Sequence, residues 1–385
     1  MRAAINVSTI SGLLLSLVAA SSSAIELIEN QRDSGRFYGR FTADYINNDD
    51  ISELTDSLSR IGIKFTRKLD NQWLAYAGAE WGLDIIDTDG SLALSGDSLR
   101  AADDQDESIW QRLGYVGLSH PKWGKFSVGK QWSTYYDVTK FTDVMNTFSG
   151  RASGTFNFGT DGGVSGTGRA EQVLQWRNQF NKFEVSAQIQ ATDDVINVED
   201  NDLDIAGEGE LDTSIGASVI YNINPLAKIG LAINFADYKF TDNNGENITI
   251  DDKIWALGGY YGQFDLGLYA ALVYSQSQAH EIDNLGHLID AKGLEAYLRY
   301  TFTNRYSIYL GYNHLQEDDQ EYGEQLGQDY ELKYTVLGVA YQWAEDFKLY
   351  SEYKFESSSL AFAASATQAV AQPDNTLSLG LSFEF

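Results

Sequence analysis

The chain has 385 residues, no Cys and 3 Pro, and its 55 Asp and Glu outnumber 27 Lys and Arg to give a formal charge of −28. Without thiols there are neither disulfides nor thiolate metal sites, and so acidic a chain excludes nucleic acid as a default partner. No segment supplies the roughly 18 consecutive apolar residues of a membrane helix. Yet 13% of the residues are aromatic, with 23 Tyr, 19 Phe and 8 Trp, more amphipathic rings than a soluble core needs.

In chain order, Met1-Arg2 leads into an apolar run from Ile10 to Ala20, then into Ser21-Ser22-Ser23-Ala24. A positive start, a short apolar run and small residues at Ser22 and Ala24 predict a secretory signal over 1–24, cleaved after Ala24. One domain of 361 residues, 25–385, remains, and losing Arg2 lowers its charge to −29.

Period-two segments of about ten residues then recur to the end. Strands are predicted near 36–47, 57–69, 73–84, 109–119, 124–133, 169–180, 183–191, 211–223, 227–240, 251–261, 264–275, 291–302, 306–316, 330–343, 347–355 and 375–385, sixteen in all. Connections alternate short and long: seven short turns, such as Asp70-Asn71-Gln72 and Thr303-Asn304-Arg305, and eight long loops. Acidic clumps at 47–50, 102–107 and 199–204 lack periodicity and read as solvated loops. They serve either solubility or the binding of divalent cations that bridge to lipopolysaccharide.

The final strand alternates Leu377, Leu379, Leu381, Phe383 and Phe385 with Ser, Gly and Glu, so one face is oily and the other polar. Alone it suits a soluble sandwich or a membrane barrel equally. The secretory leader, the aromatic content and the short–long alternation favour the barrel. In hydrocarbon an unpaired backbone N–H or C=O costs several kcal/mol, so strands span only as a closed ring. The predicted fold class is all-β, a 16-stranded antiparallel transmembrane β-barrel in which the first and last strands pair. Alternation turns Phe37, Phe41, Ala43 and Tyr45 outward and Tyr38, Arg40, Thr42 and Asp44 inward; likewise Arg60 and Lys64, and Gly78, Glu80 and Gly82, face in. A charged interior at this strand number is a water channel, not a packed core.

Four inward arginines, Arg40, Arg60, Arg112 and Arg169, recur at similar depth. The longest connection, about 133–168, carries Tyr135, Tyr136, Phe141, Val144, Met145 and Phe148, which suggests that it packs inside. The arginines either line a passage or simply pair with acids such as Glu80 and Glu171. Catalysis needs a base within reach of a nucleophile or a paired acid, and the sequence offers no such constellation around His120, His280, His287 or His314. No cofactor motif or metal site is found.

Phe37-Tyr38-Gly39-Arg40, Ser59-Arg60-Ile61-Gly62-Ile63-Lys64, Gln111-Arg112-Leu113-Gly114-Tyr115-Val116-Gly117-Leu118 and Trp176-Arg177-Asn178 resemble the first, second, fourth and sixth strands of the trimeric general diffusion porins of the Gram-negative outer membrane. The resemblance covers essentially the whole mature chain. The loop with Tyr136-Asp137 and Phe141-Thr142-Asp143 is similar to the third loop that such porins fold into the lumen. By that resemblance Arg40, Arg60, Lys64, Arg112 and Arg169 form the basic side of a pore constriction, and Asp143 with Asp137 the acidic side. Phe385 and Phe383 become the signal read by the barrel-assembly machinery. The resemblance further implies a homotrimer, outer-membrane lipid and lipopolysaccharide as surroundings, and small hydrophilic solutes and ions as cargo moving by passive diffusion. A substrate-specific channel, or a barrel adhesin with loop-mediated binding, is the alternative. One departure stands out: Asn146-Thr147-Phe148-Ser149-Gly150 lacks the second acid that the family commonly carries there. The basic eyelet argues toward anions and the acidic mouths toward cations, which leaves cation preference or little selectivity.

Overall fold

The computed structural model describes residues 24–49, 52–86, 92–95, 98–101, 109–157, 161–191, 195–200, 205–241, 246–282, 288–318, 330–359 and 374–385. Of the expected leader only Ala24 is included; the rest of it, the acidic clump at 102–107 and His287 lie outside the described residues.

Sixteen staves form the barrel: β1 Asp33–Asn47, β2 Arg60–Lys68, β3 Leu74–Leu83, β4 Ile109–His120, β5 Gly124–Trp132, β6 Arg169–Phe180, β7 Phe183–Gln190, β8 Ile205–Asn224, β9 Ala227–Thr241, β10 Asn247–Gly262, β11 Gly267–Ile282, β12 Leu288–Thr301, β13 Tyr306–Glu317, β14 Glu331–Gln342, β15 Phe347–Glu356 and β16 Thr376–Glu384. Each pairs antiparallel with its sequence neighbours. The ring closes where β1 meets β16, from Arg40↔Glu384 to Asn47↔Leu377, so the backbone ladder continues around the barrel as hydrocarbon demands. Below that point a separate strand, Ile25–Glu29, pairs with β1 on the edge that β16 leaves bare. Phe385 exchanges both backbone hydrogen bonds with Gly39, at 2.9 and 3.0 Å.

The side-chain alternation is the one that period two requires. Along β9, Leu231 and Phe235 are exposed while Ala232, Asn234 and Ala236 are buried. Near the short turns the outward face carries exposed Trp123, Phe180, Tyr221, Tyr300, Tyr306 and Trp343, an aromatic belt of the kind found at a membrane interface. The first short turn places both Asn71 and Gln72 at positive φ, the conformation whose twist matches a hairpin.

Several boundaries differ from expectation, most of all at β8 and β11. β8 begins at Ile205, and Val195–Asp200 pairs with its first residues, so part of the acidic segment 199–204 is hairpin and not loop; cross-strand hydrogen bonds outweigh its lack of apolar periodicity. β11 begins at Gly267 and runs to Ile282, whereas the strand was predicted over 264–275. Phe264 stays in the turn, where its ring packs on Tyr269 and Tyr297.

The main apolar cluster lies inside the barrel. Tyr135, Val138, Phe141, Met145 and Phe148 of the long connection pack with Ile254, Val273, Tyr297, Tyr309, Tyr334 and Val336 from the inner faces of β10–β14. The connection has thus become the core, filling one side of the lumen, and it contains a one-turn helix, α1, Tyr136–Thr139.

Candidate functional site: a lumen with a basic wall and an inner loop

The loop is held by wall carboxylates and amides. On β15, Glu352 accepts the backbone N–H groups of Asn146, Thr147 and Phe148 at 2.7, 3.0 and 3.0 Å, and the Tyr309 hydroxyl at 2.8 Å. On β12, Glu295 accepts the Ser153 N–H at 2.7 Å and the Thr142 hydroxyl. Asn313 of β13 accepts the N–H of Arg151 at 3.0 Å. The Arg151 guanidinium makes a two-pronged pair with Glu281 of β11 at 3.1 and 2.6 Å. Each of these loop donors therefore finds an acceptor away from water, where an unmade bond would cost most.

Two histidines do have acidic partners, which corrects the sequence reading: His314 Nε2 lies 2.7 Å from Glu331, and His280 is the buried case. Its Nδ1 lies 2.7 Å from Asp252, while its Nε2 lies 2.7 Å from the Gly154 carbonyl oxygen. A catalytic base needs its second nitrogen for a nucleophile; here that nitrogen tethers the loop.

The four arginines stand on four staves at the opposite wall, and carboxylates space them. Arg40 pairs with Glu384. Glu80 lies 2.9 Å from Arg112 and 4.0 Å from Arg60, and accepts the Tyr38 hydroxyl at 3.0 Å. Arg169 bonds Asp161 at 2.9 Å, and Lys130 joins Asp161 at 3.2 Å and Glu171. Arg60 is in electrostatic range of Arg40, and Arg112 of both Arg60 and Arg169, so the four are one continuous array. Lys64 sits over the Tyr38 ring, 4.5 Å from its centre. Of the two suggested carboxylate partners, Glu80 takes that role and Glu171 is bonded to Lys130 instead.

The two loop acids have different fates. Asp143 accepts the Tyr136 hydroxyl at 2.7 Å and the Ser149 hydroxyl, and Tyr136 is within electrostatic range of Arg169 and Arg60. Asp143 thus shares the loop edge of Tyr136, the side chain in range of the arginine wall, and is in electrostatic range of Glu295 as well. Burial and the adjacent Asp143 carboxylate push the Tyr136 hydroxyl well above its ordinary value. Asp137 is instead tied to the wall by Arg177 and by the Ser186 hydroxyl at 3.0 Å, and within the loop it pairs with Lys140 at 3.2 Å. Burial alone would raise the Asp137 carboxyl, but Arg177 and Lys140 hold it below the usual carboxylate range. Arg169 and Lys130 do the same for Asp161 against its burial.

Sequence reasoning missed the gripping residues Glu295, Glu352 and Glu281, and the partners Glu384, Asp161 and Lys130. Strand phase already pointed Glu295 and Glu352 inward; what they would touch lies more than 140 residues away in the chain. The inner wall also carries aromatic residues. Tyr269, Tyr297 and Tyr309 are buried beneath the loop, however, and form no open track. Phe385 contacts Phe37, Phe41 and Phe383, with ring centres 5.4, 5.8 and 5.9 Å away.

The sequence profile of the Gram-negative porin family matches residues 11–381. Outer membrane porin C of Enterobacter cloacae is 24% identical over 383 residues, which cover 96% of each chain. Among solved structures, OmpF of Salmonella typhi in complex with daunomycin superposes with a TM-score of 0.68 at 20% identity, covering 94% of this chain and 100% of that one. OmpT of Vibrio cholerae in its trimer form gives 0.64 at 17% identity, covering 92% and 100%. With the closed barrel, these matches lead to one conclusion: the chain belongs to the Gram-negative porins, and it is a general diffusion porin of the outer membrane.

Proposed function

We propose that solutes cross this porin through the gap between the Arg40–Arg60–Arg112–Arg169 wall, with Lys64 beside it, and the Asp143 edge of the inner loop. The observation that carries this reading is the asymmetry of the loop's contacts. Its apolar side and its backbone N–H groups are committed to β10–β15, and the Tyr136–Asp143 edge is turned toward the arginines. Fixed charges facing one another across a narrow, water-filled gap orient and filter solutes strongly. Asp137, bound to Arg177, belongs to the anchor and acts on the gap only through the loop.

Six cations, Arg40, Arg60, Lys64, Arg112, Lys130 and Arg169, are offset by five carboxylates, Glu80, Asp143, Asp161, Glu171 and Glu384. So near a balance supports weak ionic selectivity, which the acidic chain as a whole tips toward cations. The similarity to an OmpT structure in trimer form supports a homotrimer. Half-buried outward Ala43, Ala75, Ala77 and Ala79 leave room for a neighbour. Lipopolysaccharide at the outer rim and recognition of Phe385 and Phe383 by the assembly machinery complete the proposal. The porin family match disfavours an enzymatic role, and the buried His280 has both ring nitrogens engaged.

Reconstitution into planar bilayers tests the reading. Openings in three equal steps with modest selectivity, together with liposome permeability to sugars that falls with solute size, support it. Absence of conductance from correctly folded protein would refute it.

A further inference from the structure

Trp132 ends β5 and Arg169 begins β6, and the two are cross-strand partners where the inner loop leaves and rejoins the wall. The Arg169 guanidinium carbon lies 5.3 Å from the centre of the Trp132 ring, within the range of attraction between a cation and an aromatic face. The same ring stacks on Tyr136, with centres 3.9 Å apart and planes 16° from parallel. The Tyr136 hydroxyl in turn donates to Asp143 at 2.7 Å. One indole thus touches the side chain that positions Asp143 and the guanidinium that ends the arginine array.

The backbone at Trp132 is fixed independently. Its carbonyl accepts hydrogen bonds from Gln175 at 2.9 Å and Arg177 at 2.8 Å. Ser133 donates from its N–H to the Gly168 carbonyl at 2.8 Å and from its hydroxyl to the Thr167 carbonyl at 2.5 Å. The ring is therefore not needed to hold the loop base, and its stacking is free to orient charge.

We infer that Trp132 is a specificity-determining positioning residue, whose indole sets the separation and orientation of Arg169 and Asp143 and so the transverse field of the passage. This rests on the proposed passage between those charges. Without the indole, Arg169 keeps Asp161 as its partner and folds toward the loop, where its charge is neutralised. Asp143 retains the Ser149 hydroxyl and so moves less than Arg169. Loss of the ring therefore weakens the positive side more than the negative.

The test is the reversal potential of single channels in a KCl gradient for wild type, Trp132→Phe, Trp132→Leu, Arg169→Gln and the double variant Trp132→Leu/Arg169→Gln. Trimer migration on gels checks folding, and Trp132→Met replaces Trp132→Leu if the latter does not assemble. Trp132→Leu is expected to shift selectivity toward cations, with the sign and comparable size of the Arg169→Gln shift. It should add little in the Arg169→Gln background, and Trp132→Phe should stay near wild type. An unchanged potential in Trp132→Leu, or an equal shift in both backgrounds, would overturn the assignment while leaving the passage intact. No shift in Arg169→Gln and none in Asp143→Asn would instead overturn the passage itself, and this inference with it.

Discussion

Glu352 accepts the backbone N–H of Asn146 at 2.7 Å across 206 residues of sequence. That bond and its two neighbours, from Thr147 and Phe148, turn a flexible connection into a fixed wall of the channel. In place of a second acid on the loop, the structure has loop N–H groups facing an acid on the barrel. Replacing Glu352 by Ala leaves the three backbone N–H groups and the Tyr309 hydroxyl without this acceptor. It should destabilise the folded state by about 1–3 kcal/mol and increase current noise as the loop tip moves. Urea unfolding and bilayer recordings check both; wild-type stability with quiet channels would count against the anchor.

Glu80 sits between two guanidiniums, 2.9 Å from Arg112 and 4.0 Å from Arg60. Glu80→Gln removes the charge that separates them and is expected to shift selectivity toward anions. It should also lower stability, at most by the about 3–5 kcal/mol typical of a broken buried pair. Reversal potentials and denaturant midpoints measure the two effects separately.

Asp137 and Asp161 are loop carboxylates held below the usual range, against their burial, by Arg177 with Lys140 and by Arg169 with Lys130. A depressed carboxylate contributes its stability fully above the unfolded value of about 3.9 and loses it as pH falls through the folded value. Loop anchorage by these two groups should therefore be constant from pH 8 to 5 and weaken only below about pH 4. The folded fraction of wild type followed against pH, beside that of Asp137→Asn, tests the sign. The variant should be less stable near neutrality and lose less on acidification.

The Phe385 ring packs against Phe37 and Phe41 at the seam, and a Cβ on Gly39 would lie 2.6 Å from it. Phe385→Ser should reduce the yield of heat-modifiable trimer while leaving conductance of the trimer that forms unchanged. Gly39→Ala should produce a milder form of the same defect. Normal yield in Phe385→Ser would contradict the role of the ring.

The staves were legible because bilayer and water impose one rule on every strand, and residues such as Leu231 and Ala232 obey it locally. The inward direction of Arg40, Arg60 and Arg112 followed from the same rule. Beyond the pairing of Glu80 with the arginines, contacts inside the lumen were not legible. Whether Asp137 faces the passage or Arg177, and which strand receives Asn146, depends on how a 36-residue connection, 133–168, folds back. Its local sequence carries no period to read, and its partners are set by long-range geometry. Val195–Asp200 shows the complementary failure: an acidic segment became a strand because β8 offered it hydrogen bonds.

The central claim is that Asp143 and the arginine array face each other across the route taken by ions. The most direct measurement is the reversal potential of Asp143→Asn channels in a KCl gradient at neutral pH, beside wild type. A shift toward anions with conductance retained is predicted, since the carboxylate is lost while Arg60, Arg112 and Arg169 remain. A reversal potential identical to wild type would place the route elsewhere and contradict the account.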